Sequence, residues 1–137
     1  MSRYQLKKRL DAPGVLIDCG EGWVWILEDL HEKLVFLDPK YTVWSVKEKY
    51  GTLRVYLGNG GKVKNIAIKL MHDALTYAEW LSAKTCEICG NCSHLTNPER
   101  GIALDSTVGL KVNEFGWYKT LCGRCAEQFG YKVEEDA

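Results

Sequence analysis

Two C-x-x-C pairs, Cys86-Glu-Ile-Cys89 and Cys122-Gly-Arg-Cys125, constrain this chain more than any other feature. A two-residue spacer lets both sulfurs of a pair turn toward one ion while the intervening amides donate to them. Two such pairs complete the tetrahedral thiolate set that zinc prefers. The spacing predicts one Zn2+ held by Cys86, Cys89, Cys122 and Cys125; the plainer alternative is four unligated thiols in a reducing core. Four thiolates close the coordination sphere and leave no position for water, so the metal is expected to be structural. It would also staple a lobe with few large aliphatic residues, which small lobes generally need. Within "TCEICGNCSH", Cys92 and His94 are surplus. Using Cys92 in place of Cys89 would widen the spacer, so Cys92 is expected to be a nearby thiol and His94 a surface residue. Cys19 stands apart and reads as a small buried hydrophobe.

At 137 residues, 46% apolar and 26% charged, the chain reads as globular, one domain or a small domain with a metal-stapled lobe. No apolar run reaches the roughly 20 residues of a spanning helix, and no membrane association is expected. The opening "MSRYQLKKRLDAPGVLIDCGEG" imitates a secretion signal with Arg3, Lys7, Lys8 and Arg9. Its apolar part "APGVLI" is too short, and Asp18 interrupts it just before Cys19, which also spoils a lipoprotein-type cleavage site. A cytoplasmic location is therefore expected, and six cysteines there argue for metal ligands or buried thiols rather than disulfides. The formal net charge is zero, so no global field draws the chain to nucleic acid. The charges are nonetheless segregated, with seven acids against two lysines over residues 11–40 and an acidic "KVEEDA" end. Residues 133–137 are expected to be a disordered acidic tail.

Hydrophobic periodicity divides the rest. Ser2 to Leu10 fits a short helix ended by "DAPG". Trp23, Ile26, Leu27, Leu30, Leu34 and Leu37 recur at helical spacing, and Asp38-Pro39 stops that helix. The period then changes to two. In "YTVWSVKEKYGTLRVYLGNGG" a hairpin about Gly51 would turn Trp44, Val46, Leu53, Val55 and Leu57 inward and Lys47, Lys49, Arg54 and Tyr56 outward. A long helix from about Lys62 to Ala83 follows, with Val63, Ile66, Leu70, Ala74, Tyr77 and Leu81 as its expected buried face. "GIALDSTVGLKV" and "GWYKTL" read as short strands and "RCAEQFGY" as a last helix. The expected fold class is α+β: a helix–hairpin–helix lobe over residues 1–83 and a treble-clef or zinc-ribbon-like lobe over residues 84–132.

"CEICG" followed by "TLCGRC" at the head of a helix resembles a treble-clef zinc finger, a scaffold used by the HNH endonucleases among others. Those nucleases place a catalytic histidine between the cysteine pairs, often after Asp or His, and a second histidine beyond the last pair. Here His94 follows Ser93, and Ala126 follows the last pair, so a catalytic cation would have almost nothing to bind it and no general base is present. The resemblance implies the scaffold without the nuclease. A second resemblance covers residues 22–125. "VKEKYGTLRVY", "AEWLSAKTCEICG" and "GWYKTLCGRC" resemble a group of small uncharacterised proteins common in phages and prophages, with the pattern K-E-K-[FY]-G-x-L-R-[FY]-Y, C-E-x-C-G and G-W-x-x-T-L-C. Thr52 stands where that group usually has glycine, and Val55 where it has an aromatic residue. This resemblance implies a mobile-element origin and a zinc-binding α+β fold, and supplies no activity.

Other enzyme readings lack residues. There is no phosphate-loop lysine motif and no G-x-S-x-G elbow, and the C-x-x-C pairs lack the βαβ setting of a redox site. His31 and His72 have no second ligand at helical spacing. Neither an enzymatic role nor a small-molecule substrate is expected. Two binding roles remain. Lys47, Lys49, Arg54, Tyr56, Lys62 and Lys64, with Lys69, would make a basic surface able to track a phosphate backbone. The same residues would otherwise be an exposed sheet face protected against edge pairing. Trp25, Trp117 and Tyr118 are candidate protein contacts, since exposed aromatic residues anchor interfaces. A host protein is the favoured partner over DNA or RNA, and a homo-oligomer is open.

Overall fold

The computed structural model describes residues 17–134. The expected helix at Ser2–Leu10 and the end of the acidic tail lie outside the described residues. A short strand β1 (Ile17–Asp18) leads through a 3-10 turn at Glu21–Trp23 into α1 (Val24–Leu37). The hairpin strands β2 (Val43–Lys49) and β3 (Thr52–Leu57) precede the long helix α2 (Asn65–Ser82). Strands β4 (Gly109–Val112) and β5 (Tyr118–Leu121) then lead to α3 (Gly123–Phe129). The described chain is thus mixed α and β, with three α-helices, one three-stranded sheet ordered β1-β2-β3 and one two-stranded sheet. No described helix is long and apolar enough to cross a membrane.

Helix α1 forms as its spacing predicts, burying Ile26, Leu27, Leu30 and Leu34. It ends at Asp38, which is extended before Pro39. The buried Asp38 carboxylate accepts from the Lys40 and Gly61 amides, tying the end of α1 to the loop that leads into α2. The β2–β3 hairpin turns at Tyr50 and Gly51, both at positive φ (51° and 76°), the pair of left-handed residues that two-residue hairpins use. Lys47 faces Arg54 across the pair, and Val46 faces Val55. Lys47, Lys49, Arg54 and Tyr56 therefore share the outward face, as alternation predicts.

Trp44 corrects that alternation. The register shifts between Val43 and Ser45, so Val43 joins Val46 in the core and Trp44 is thrown outward, 76% exposed. A bulge inserts one extra residue, and the inside–outside phase flips beyond it. Helix α2 corrects the expected buried face as well. Met71, Ala74, Ala78 and Leu81 are buried, whereas Ile66, Leu70 and Tyr77 are exposed. The helix sits against α1 and β3 by a face rotated from the one that its largest side chains mark.

The main core gathers Trp23, Ile26, Leu34, Val46 and Leu53, and it also takes in Cys92 and Ile102 from beyond α2. A second, smaller cluster holds Cys86, Leu121, Cys122, Cys125 and Ala126. Between them, Thr120 Oγ1 donates to the Gly51 carbonyl at 2.7 Å, and the Glu87 amide donates to the Thr120 carbonyl at 2.9 Å.

Candidate metal centre

The two cysteine pairs come from two local structures that present sulfur in the same way. Cys86–Gly90 is a tight loop closed by the Gly90 amide on the Cys86 carbonyl at 3.0 Å, with Gly90 at φ 86°. That φ is readily open only to glycine, which is why "CEICG" ends as it does. The Cys89 amide points at Cys86 Sγ at 3.5 Å. In the second pair Cys122 caps α3, and the Cys125 amide points at Cys122 Sγ at 3.4 Å. In each pair the later cysteine's N–H serves the earlier sulfur. The four Sγ atoms lie within 4.8 Å of one another, and Cys89 and Cys122 approach to 3.8 Å. These four form the one group of three or more metal-type side chains that converges among the described residues.

Their electrostatics suit a cation. Burial pushes the Cys89 thiol up to about 11, with the neighbouring sulfurs adding to it, and drives Cys125 upward by the same causes. Burial works on Cys86 too, but backbone N–H groups of Cys89, Cys122 and Ile88 outweigh it and hold that thiol below its ordinary range. Cys89 and Cys125 thus resist ionising. A divalent ion removes that resistance by supplying the positive charge, releasing protons as it binds. The donor set is all soft sulfur at tetrahedral number, which fits a closed metal site. Cys92 does not join it. It is fully buried in the main core, where its sulfur receives the His94 amide at 3.4 Å. His94 lies edge-on against the Trp80 ring with centroids 4.6 Å apart.

The loop carrying Cys86 and Cys89 is gripped from the other end of the chain. Trp23 Nε1 donates to the Thr85 carbonyl at 2.9 Å and Trp25 Nε1 to the Gly90 carbonyl at 3.1 Å. Trp25 is thus 7% exposed and buried against the metal loop, which overturns its reading as an exposed protein contact. A side chain on the nominally polar side of a helix is buried when a later segment covers it. The Gly22 amide donates to the Glu87 carbonyl at 2.8 Å. A Cβ on Gly22 would stand 2.2 Å from the Cys86 carbonyl oxygen, so only glycine lets the backbones approach. Glu87 itself is buried. Its carboxylate accepts from the Gly20 amide at 2.9 Å and meets Lys119 Nζ at 3.3 Å. Burial raises its pKa against the lowering charge of Lys119. The segment "CGEGWVW" therefore builds the metal loop's support, and the close glycine pair beside two tryptophans is its only trace in the sequence.

The other candidate residues lie elsewhere. Trp117 is 70% exposed and Tyr118 half-buried, with its hydroxyl on Glu134 at 2.6 Å. Lys62 and Lys64 are exposed in the loop before α2. On the outward sheet face Arg54 pairs with Glu79 of α2 at 3.3 Å, Lys47 lies over the Tyr56 ring, and Asp18 of β1 is in register with Lys47. His31 pairs with Tyr41, and His72 is exposed. No family model, curated protein or solved structure matches the chain. Fold and site together define a mixed α/β protein with a four-cysteine group able to hold a metal ion.

Proposed function

We propose that the chain is a non-enzymatic zinc-binding protein, that its single Zn2+ is structural, and that it acts by binding a host protein. The convergence of Cys86, Cys89, Cys122 and Cys125 within 4.8 Å carries this reading. A four-sulfur set leaves no open coordination position, so the ion holds the loop, the β4–β5 hairpin and α3 together. That order, cysteine loop then hairpin then cysteine-capped helix, supports the treble-clef reading of this lobe. His94, the histidine between the pairs, is turned edge-on against Trp80, and Ala126 is buried where a second histidine would follow, which supports the non-catalytic reading. A phage origin rests on the motif resemblance alone.

The partner preference rests on two observations. The outward sheet face is partly neutralised, with Arg54 committed to Glu79 and Asp18 beside Lys47. The β4–β5 turn, by contrast, presents Phe115 and Trp117 to solvent on a frame in which Asn113 Oδ1 accepts both their amides, at 3.0 and 2.9 Å. Two aromatic side chains on a braced turn are a low-entropy anchor for a protein surface. Titration of the zinc-loaded protein with labelled single- and double-stranded DNA and RNA across a salt series tests the choice. No binding at low salt is expected. Micromolar binding that weakens steeply with salt would move the function to Lys47, Lys49, Arg54 and Tyr56.

A further inference from the structure

Helix α2 has two apolar stripes, and among the described residues only one is buried in the core. Met71, Ala74, Ala78 and Leu81 are buried in the core, while Ile66, Leu70, Tyr77 and Trp80 recur along a neighbouring face at spacings that keep them in one stripe. These four remain 40 to 60% exposed. Phe36 of α1, 85% exposed, lines the same groove as Tyr77. Between the two helices runs an open groove of about 660 Å³, bounded by Leu30, Phe36, Ala74, Tyr77, Ala78 and Leu81. The two alanines leave room where larger residues would have filled it. An open apolar groove with exposed aromatic side chains at its rim marks an interface rather than scattered exposure.

We propose that this face binds a second copy of the chain in a two-fold dimer, with Phe36 of each copy entering the other's groove. Three observations select that occupant. A two-fold contact uses one patch on both molecules, so the patch must carry both a protrusion and a recess, and here Phe36 and the groove lie side by side. The charged residues on and around it have both signs. Asp29, Glu32 and Asp73 stand with Lys33 and Lys69, so two copies meet without the net repulsion of a single-signed face. The five exposed side chains offer on the order of 500 Å² of apolar area per copy, given the 150–250 Å² that large side chains bury. With the groove rim that approaches the roughly 800 Å² per partner of a standard interface. The proposal is independent of the reading of the metal site and of the host partner.

Light scattering coupled to size exclusion tests it on the zinc-loaded full chain. A dimer mass is expected at about 100 µM, giving way to monomer on dilution as mass action requires. Phe36→Ser and Tyr77→Ser change exposed side chains, so zinc content and helicity should hold while dimerisation weakens at least tenfold. Trp44→Ser, at a side chain 76% exposed on the sheet and away from the groove, should leave the dimer intact. A wild-type chain that is monomeric at every concentration overturns the proposal and leaves the groove for a helix of another protein. So does a dimer that survives Phe36→Ser and Tyr77→Ser together, or one that Trp44→Ser dissolves.

Discussion

At the scale of single residues, Trp25 and Cys92 show how this chain uses side chains that its sequence pattern assigns elsewhere. The Trp25 indole is buried and donates to the Gly90 carbonyl, so it both fills space and fixes the metal loop. Trp25→Phe keeps most of the packing and removes the donor, at a cost of about 1 kcal/mol. Trp25→Ala adds a cavity and is expected to cost about 3–5 kcal/mol. Chemical denaturation of the zinc-loaded protein separates the two. Cys92→Ser is expected to retain the full metal content, because Cys92 lies in the main core and outside the four-sulfur group. It should still lower stability by about 1–3 kcal/mol, since a hydroxyl replaces a thiol in an apolar site. Metal analysis and a melting curve on one sample check both halves. The four converging cysteines were legible from spacing alone, because that chemistry is local to each pair. Trp25 was not, because its burial depends on a loop 65 positions away.

The elements show the same division between local and distant causes. Helix α1 and the β2–β3 hairpin follow from periodicity and from Asp38-Pro39 and Gly51. Trp44 escaped because one bulge residue inverts the phase of a strand, and nothing in "YTVWSV" marks it. The face of α2 escaped because two apolar stripes lie side by side, and periodicity cannot say which one the core takes. Strand β1 is two residues long and exists only through its parallel pairing with Val46 and Lys47. The hairpin turn carries a testable cost. Tyr50 adopts φ 51°, which a side chain with Cβ adopts reluctantly, and it is exposed. Tyr50→Asn or Tyr50→Gly is expected to stabilise the protein by about 0.5–1 kcal/mol, read as a raised denaturation midpoint with an unchanged slope. Gly22→Ala should do the opposite. Its Cβ would press on the Cys86 carbonyl, so the metal loop must shift; a weakened metal affinity together with a lowered melting temperature is expected.

Across the whole molecule, the metal loop is joined to everything around it. Trp23 and Trp25 hold it from the start of α1, Gly20 and Gly22 lie against Glu87, and Thr120 reaches the hairpin turn at Gly51. Loss of the ion should therefore be felt beyond β4, β5 and α3, with chelation lowering the melting of the entire chain rather than releasing one end. The metal content and melting of the purified protein, measured beside Cys86→Ser and Cys122→Ser, decide whether the four-cysteine group holds a structural ion. One zinc per chain is expected in the parent, and little or none with a much lower melting temperature in each variant. Zinc retained at one per chain with unchanged melting in either variant would contradict that role.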